Sequence, residues 1–167
     1  MSIVMSRYES PIGTLYLYAQ DDCIIRLDFA QSPAVTDWFV KYLTNRGVRE
    51  GSCPVLAQLR SELEGYFAGS RTAFTIPCRL YGTDFQRAVW DQLRGIPYGR
   101  TITYGMLAVC MGKPRASRAV GGANHNNPVS IVIPCHRVVG AGGQLTGYGG
   151  GLDRKASLLR LERCGHL

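Results

Sequence analysis

A chain of 167 residues with 46% hydrophobic and 19% charged side chains carries enough apolar material for one ordinary domain or two small ones, which excludes a disordered chain. No run approaches the roughly 18 consecutive apolar residues of a membrane helix. Met1–Ser10 lacks the charged-then-apolar layout of a signal peptide, so a soluble, cytoplasmic protein is expected. The net charge of +7 lies wholly in the second half: residues 1–80 balance their charges, whereas residues 81–167 set eleven basic side chains against Asp84, Asp91, Asp153 and Glu162. Such asymmetry points to an anionic partner for that half, nucleic acid first; the alternative is a basic surface kept for solubility.

In chain order, Ser10-Pro11-Ile12-Gly13 reads as a turn and Thr14–Ala19 as a strand. Asp21-Asp22 turns the chain into Cys23–Phe29, where Ile25, Leu27 and Phe29 alternate with Arg26 and Asp28. From Pro54 to Gly69 the period changes: Val55, Leu56, Leu59, Leu63, Tyr66 and Phe67 recur at helical spacing. An apolar stretch, Ala73–Leu80, leads across to the second half. There Thr83-Asp84-Phe85-Gln86 fits a capping box opening a helix with Phe85, Val89, Trp90 and Leu93 on one face. Two short helices, Tyr104–Met111 and Pro114–Ala123, flank Gly112-Lys113 in a helix-turn-helix pattern. Ser130–Ile133 reads as a buried strand running into Pro134, Gly140–Gly151 as an ordered loop, and Asp153–Arg163 as a closing helix.

Six cysteines stand singly, more than 20 residues apart and without a C-x-x-C pair, so reduced thiols are expected rather than a disulfide framework or a metal site. Two stretches carry chemistry. In the second helix of the pair, Ala116, Ser117, Ala119, Gly121, Gly122 and Ala123 are small while Arg115 and Arg118 are long and cationic. Adjacent glycines cost about 1 kcal/mol each against alanine inside a helix. Something must therefore approach that backbone closely: either another core element, or the floor of a DNA groove with an arginine projecting between base pairs. The second stretch places Cys135 and His136 directly after Pro134. An imidazole and the adjacent cationic Arg137 lower a thiol pKa towards the nucleophilic thiolate, and Glu162 is placed to orient His136.

Arg118-Ala119-Val120-Gly121-Gly122-Ala123-Asn124-His125-Asn126-Asn127-Pro128, followed by Ile131-Val132-Ile133-Pro134-Cys135-His136-Arg137-Val138-Val139, strongly resembles the O6-alkylguanine-DNA alkyltransferases. The resemblance spans Tyr81–Glu162 and, more loosely, Ser10–Gly13, and is nearest the stand-alone bacterial form. It implies an α+β, two-domain fold: residues 1–80 a small antiparallel sheet plus helix, ribonuclease H-like, and residues 81–167 a helical, winged-helix-like domain that binds DNA and carries the active-site cysteine. It implies Cys135 as acceptor thiol, His136 taking its proton through a water, Glu162 holding that imidazole, and Tyr104 helping to turn the phosphate and hydrogen-bond the purine. Arg118 would fill the base stack, with Ala119, Gly122 and Ala123 facing DNA. Asn127 would be a buried hinge, Pro134 and Tyr148 would wall the pocket, and the Val138 carbonyl and Gly149 amide would face the guanine edge.

The implied function is repair of duplex DNA by irreversible transfer of an alkyl group from O6-alkylguanine, with O4-alkylthymine a second candidate substrate, the base flipped out and the protein consumed. No cofactor, no metal and a monomer off DNA are expected. The zinc site that some relatives hold with two Cys and two His cannot be present in its usual form, because all three histidines lie at 125 or beyond. Ser130 stands where some relatives carry a second proline. The rival readings are an alkyltransferase-like binding protein, which would lack the cysteine, a helix-turn-helix regulator, and a cysteine hydrolase, which would release product repeatedly.

Overall fold

The computed structural model describes residues 2–30, 32 and 37–167. Strand β1 (Ile3–Ser10) pairs antiparallel with β2 (Gly13–Gln20) across a two-residue turn, where Gly13 at φ +127° takes a conformation that favours glycine. Strand β3 (Cys23–Phe29) pairs antiparallel with β2. Helix α1 (Asp37–Arg46) then leads to β4 (Val48–Glu50), which pairs parallel with β1, so the sheet order is β3-β2-β1-β4 and its edge is not antiparallel as expected.

Helix α2 (Pro54–Phe67) buries Val55, Leu56, Leu59, Leu63 and Tyr66 against one side of the sheet, on the face its spacing predicted. Phe39 and Tyr42 of α1 pack with Ile3 and Ile25 in a separate small cluster. Neither β1 nor α1 was predicted from the sequence. In β1 the buried row carries Ser6 between Val4 and Tyr8, which breaks the apolar alternation that marks a strand.

The second half opens with α3 (Asp84–Arg94), whose capping box is formed: Gln86 N donates to Thr83 Oγ1 at 3.2 Å and Thr83 N to Gln86 Oε1 at 2.9 Å. Strand β5 (Ile102–Thr103) runs into α4 (Tyr104–Cys110), then a turn with Gly112 at φ +69°, then α5 (Ser117–His125), the helix-turn-helix pair. Strand β6 (Val138–Val139) pairs parallel with β5, and α6 (Leu152–Cys164) closes the chain.

Ser130, Ile131 and Ile133 are buried, but the segment 130–133 is a turn, not the predicted strand. Its amides are used locally, Val132 N to Ser130 O at 2.8 Å and Ile133 N to Val129 O at 3.0 Å, and Ile131 sits at φ +71°. For a β-branched residue that conformation costs about 1–3 kcal/mol and persists only where packing enforces it. Ile131 is fully buried.

One apolar core runs through both halves, joining Leu17, Leu27 and Leu59 to Trp90, Val120, Val138 and Leu158. Backbone bonds stitch them together: Leu27 N donates to Pro128 O and Ser130 N to Leu27 O, each at 2.9 Å. The departure noted at Ser130 has a structural use, since its hydroxyl donates to buried Asp28 at 3.2 Å.

Candidate active site

Pro134 starts a single 3-10 turn, Cys135–Arg137, whose three side chains are all buried. The turn is tied to the end of α5. Asn127 donates from Nδ2 to Ile133 O at 2.8 Å and accepts from Val129 N at 3.0 Å, and Asn124 donates to Cys135 O at 3.3 Å. Asn127, just past the end of α5, thus ties that helix to the thiol turn. Sequence reasoning passed over Asn124.

Glu162 on α6 is the hub behind the thiol. It accepts from His136 Nε2 at 2.7 Å, from Arg137 at 2.9 and 3.0 Å, from Tyr66 OH at 2.8 Å and from Gly99 N at 3.1 Å. Burial by itself would raise this carboxyl; the hydrogen bonds and charges of His136 and Arg137 outweigh it and hold it at about 2. An ionised carboxylate can only accept, so His136 must donate from Nε2. Burial also lowers the His136 pKa despite Glu162, which keeps the ring neutral with its lone pair on Nδ1. Nδ1 has no hydrogen-bond partner among the described residues.

One expectation is overturned. Burial pushes the Cys135 thiol up to about 11, rather than towards thiolate. The guanidinium of Arg137 is turned away to Glu162 and the Ile96 carbonyl, at 2.6 Å from the latter, so it does not stabilise a charge on sulfur. The resting thiol is protonated at neutral pH.

Lys155, which sequence reasoning missed, is fully buried on α6 and donates from Nζ to Val138 O at 2.5 Å and Thr146 O at 2.8 Å. Burial lowers its ammonium to about 8. Its signal was present: Lys155, Leu158, Leu159 and Glu162 fall at i, i+3, i+4 and i+7, one helix face. Tyr104 OH shares the Thr146 carbonyl at 3.1 Å, so Tyr104 and Lys155 meet at one acceptor. The Val138 carbonyl, expected to face a guanine edge, already accepts from Lys155. Pro134 and Tyr148 are buried, and Gly149 is half-buried.

On α5, Arg118, Ala119 and Gly122 are exposed. A Cβ on Gly121 would lie 3.7 Å from the Tyr104 ring, ordinary contact, and one on Gly122 would meet nothing within 4 Å. Core packing therefore explains neither glycine. Ala123, expected on the same face, turns inward: it is 4% exposed and its carbonyl accepts from Trp90 Nε1 at 2.8 Å, because α3 packs there. Tyr104, Arg118, Gly121, His125, Thr146 and Gly147 help line an open cleft of about 310 Å³.

Residues 84–164 match the model of the 6-O-methylguanine DNA methyltransferase DNA-binding domain, and residues 3–80 that family's ribonuclease-like domain. A methylated-DNA–protein-cysteine methyltransferase of Mycolicibacterium paratuberculosis is 48% identical over 158 residues, 93% of this chain and 89% of that protein. One from Methanosarcina acetivorans is 43% identical, covering 93% of this chain and 95% of its own length. The structure superposes on the crystal structure of Mycobacterium tuberculosis OGT in complex with DNA with a TM-score of 0.85 at 40% identity, over 99% of this chain and 95% of that one. For the O6-methylguanine-DNA methyltransferase of Pyrococcus kodakaraensis the TM-score is 0.67 at 25% identity, over 96% and 98%. Matched in both halves by that family's models, and aligned nearly end to end with its members, the chain belongs to the 6-O-methylguanine DNA methyltransferase family.

Proposed function

We propose that the protein repairs duplex DNA by moving the alkyl group of O6-alkylguanine onto Cys135, with O4-alkylthymine a second candidate substrate. The observation that carries this is a buried cysteine flanked by a neutral histidine on an ionised Glu162, set behind a helix that presents Arg118 and Gly122 outward. An O-alkyl carbon inside a duplex is out of reach of a protein thiol, so the base leaves the stack and Arg118 fills the space it vacates. The sulfur of Cys135 attacks the alkyl carbon, an S–C bond forms and the C–O6 bond breaks. The thiol proton passes through a water to His136 Nδ1, while Glu162 stabilises the imidazolium that results.

The departing purine is steadied by hydrogen bonds from Tyr104 and the Gly149 amide, donors aimed where charge develops. Burial raises the resting thiol to about 11, so His136 has to take its proton in the course of the reaction. The product thioether is not hydrolysed, so each molecule acts once. Residues 81–167 carry DNA binding and the chemistry, residues 1–80 are their scaffold, and the protein acts in the cytoplasm as a monomer when off DNA.

Intact-mass spectrometry after incubation with an O6-methylguanine duplex tests the reading. One added methyl, on the peptide containing Cys135, supports it. No mass change, a methyl on Cys110 or Cys164, or repeated turnover by one molecule refutes it. Cys135→Ser is expected to bind the alkylated duplex and leave it unrepaired.

A further inference from the structure

The segment Gly147–Gly151 has a single side chain, Tyr148, among four glycines, so its backbone is costly to order without outside support. That support comes from Arg154 on α6. One terminal nitrogen donates to the Gly150 carbonyl at 3.0 Å, and Nε donates to the Ile12 carbonyl in the β1–β2 turn, also at 3.0 Å. The guanidinium lies 4.4 Å from the centre of the Phe29 ring on β3. Gly13 makes room for it, since a Cβ there would stand 2.8 Å from an Arg154 terminal nitrogen. Gly150 is wedged between Tyr148 and Phe29, where a Cβ would come within 2.7 and 2.8 Å of the two rings. Ser32 Oγ adds a bond to the Gly149 carbonyl at 3.1 Å.

We propose that Arg154 is a positioning residue that locks the Tyr148 wall of the alkyl pocket onto the N-terminal sheet, and so limits the size of alkyl group the pocket accepts. The inference rests on the reading of Cys135 as acceptor and Tyr148 as pocket wall. A planar guanidinium bonds in two fixed directions while stacking on a ring; an ammonium satisfies one carbonyl at a time from a longer list of rotamers. Released from the clamp, the glycine segment relaxes outward. A small alkyl group is then held less well for attack, and a large one finds room.

The experiment is single-turnover transfer from duplexes carrying O6-methylguanine or O6-benzylguanine, for the wild type, Arg154→Lys and Arg154→Leu, with the DNA Kd measured separately. In Arg154→Leu methyl transfer is expected to slow about tenfold, and the benzyl-to-methyl rate ratio to rise about fivefold, with Kd unchanged. Arg154→Lys should fall between. Amide exchange should quicken in Gly147–Gly151 and stay as it was in β2 and α3. An unchanged ratio, or equal slowing of both substrates with unchanged exchange, overturns the proposal. If Arg154→Leu does not fold, the ratio in Arg154→Lys decides alone. Wild-type protein without alkyl on the Cys135 peptide overturns the underlying reading and the clamp together, whereas alkyl on Cys135 with an unchanged ratio removes the clamp only.

Discussion

Glu162 satisfies the donors of His136, Arg137, Tyr66 and Gly99 at once, and each of those groups is buried or partly so. Replacing it with an isosteric amide leaves the Arg137 guanidinium buried beside a group that cannot neutralise it. Glu162→Gln is therefore expected to lose about 3–5 kcal/mol of stability, read from urea unfolding. In the proposed function His136 is the base that takes the thiol proton. His136→Ala should slow transfer at pH 7 by about 10²-fold or more, the usual contribution of a positioned base. The deficit should shrink as pH rises towards about 11, where the Cys135 thiol ionises unaided. A deficit that stays constant across that range would show that His136 acts on folding or binding instead.

Helix α5 has two faces with different obligations. Val120, Ala123 and Asn124 face inward, and Arg118, Ala119 and Gly122 face out. Because a Cβ on Gly122 meets only open space, Gly122→Ala should stabilise the free protein by up to about 1 kcal/mol through helix propensity. Under the proposed function the same methyl would stand where the backbone approaches the DNA groove, so duplex affinity should fall. Gain of stability with unchanged affinity would remove Gly122 from the interface. For Arg118→Ala, repair in a duplex should slow far more than dealkylation of the free modified base, which has no stack to fill. Equal slowing of both would place Arg118 in the chemistry or the folding.

At the scale of the molecule, charge and core divide the chain differently. All of the +7 net charge sits in residues 81–167, so duplex affinity should fall steeply with salt, with a slope near −0.9 per phosphate contacted. An affinity that ignores salt would contradict this. The core ignores that boundary, and Val129, Leu27 and Val138 belong to one cluster. Acid stability follows from Glu162. Its folded pKa of about 2 lies below the roughly 4.3 of an exposed glutamate, so the unfolded chain binds more protons between those values. Stability from this group is full above pH ~4.5 and is lost as pH falls towards 2. The unfolding midpoint of Glu162→Gln should decline less over that window than the wild type's.

Helices α2 and α3 were readable from the sequence because burial on one face leaves a 3.6-residue period, as in Val55 to Tyr66, and because Thr83 and Gln86 cap by chemistry confined to four residues. The Cys135–Arg137 turn was singled out through resemblance. What escaped leaves no periodic mark in the sequence. Strand β1 hides a serine in its buried row, Ser130–Ile133 is bent into a turn by Asn127 and by the packing of Ile131, and Ala123 turns inward to meet α3. The thiol's protonation was misjudged for the same reason. Adjacent cations argue for thiolate only while they are free, and Arg137 is claimed by Glu162, to which Tyr66 reaches across 96 residues of sequence. Sequence neighbours set which groups are present; desolvation and hydrogen-bond competition, which only the folded chain decides, set their charge.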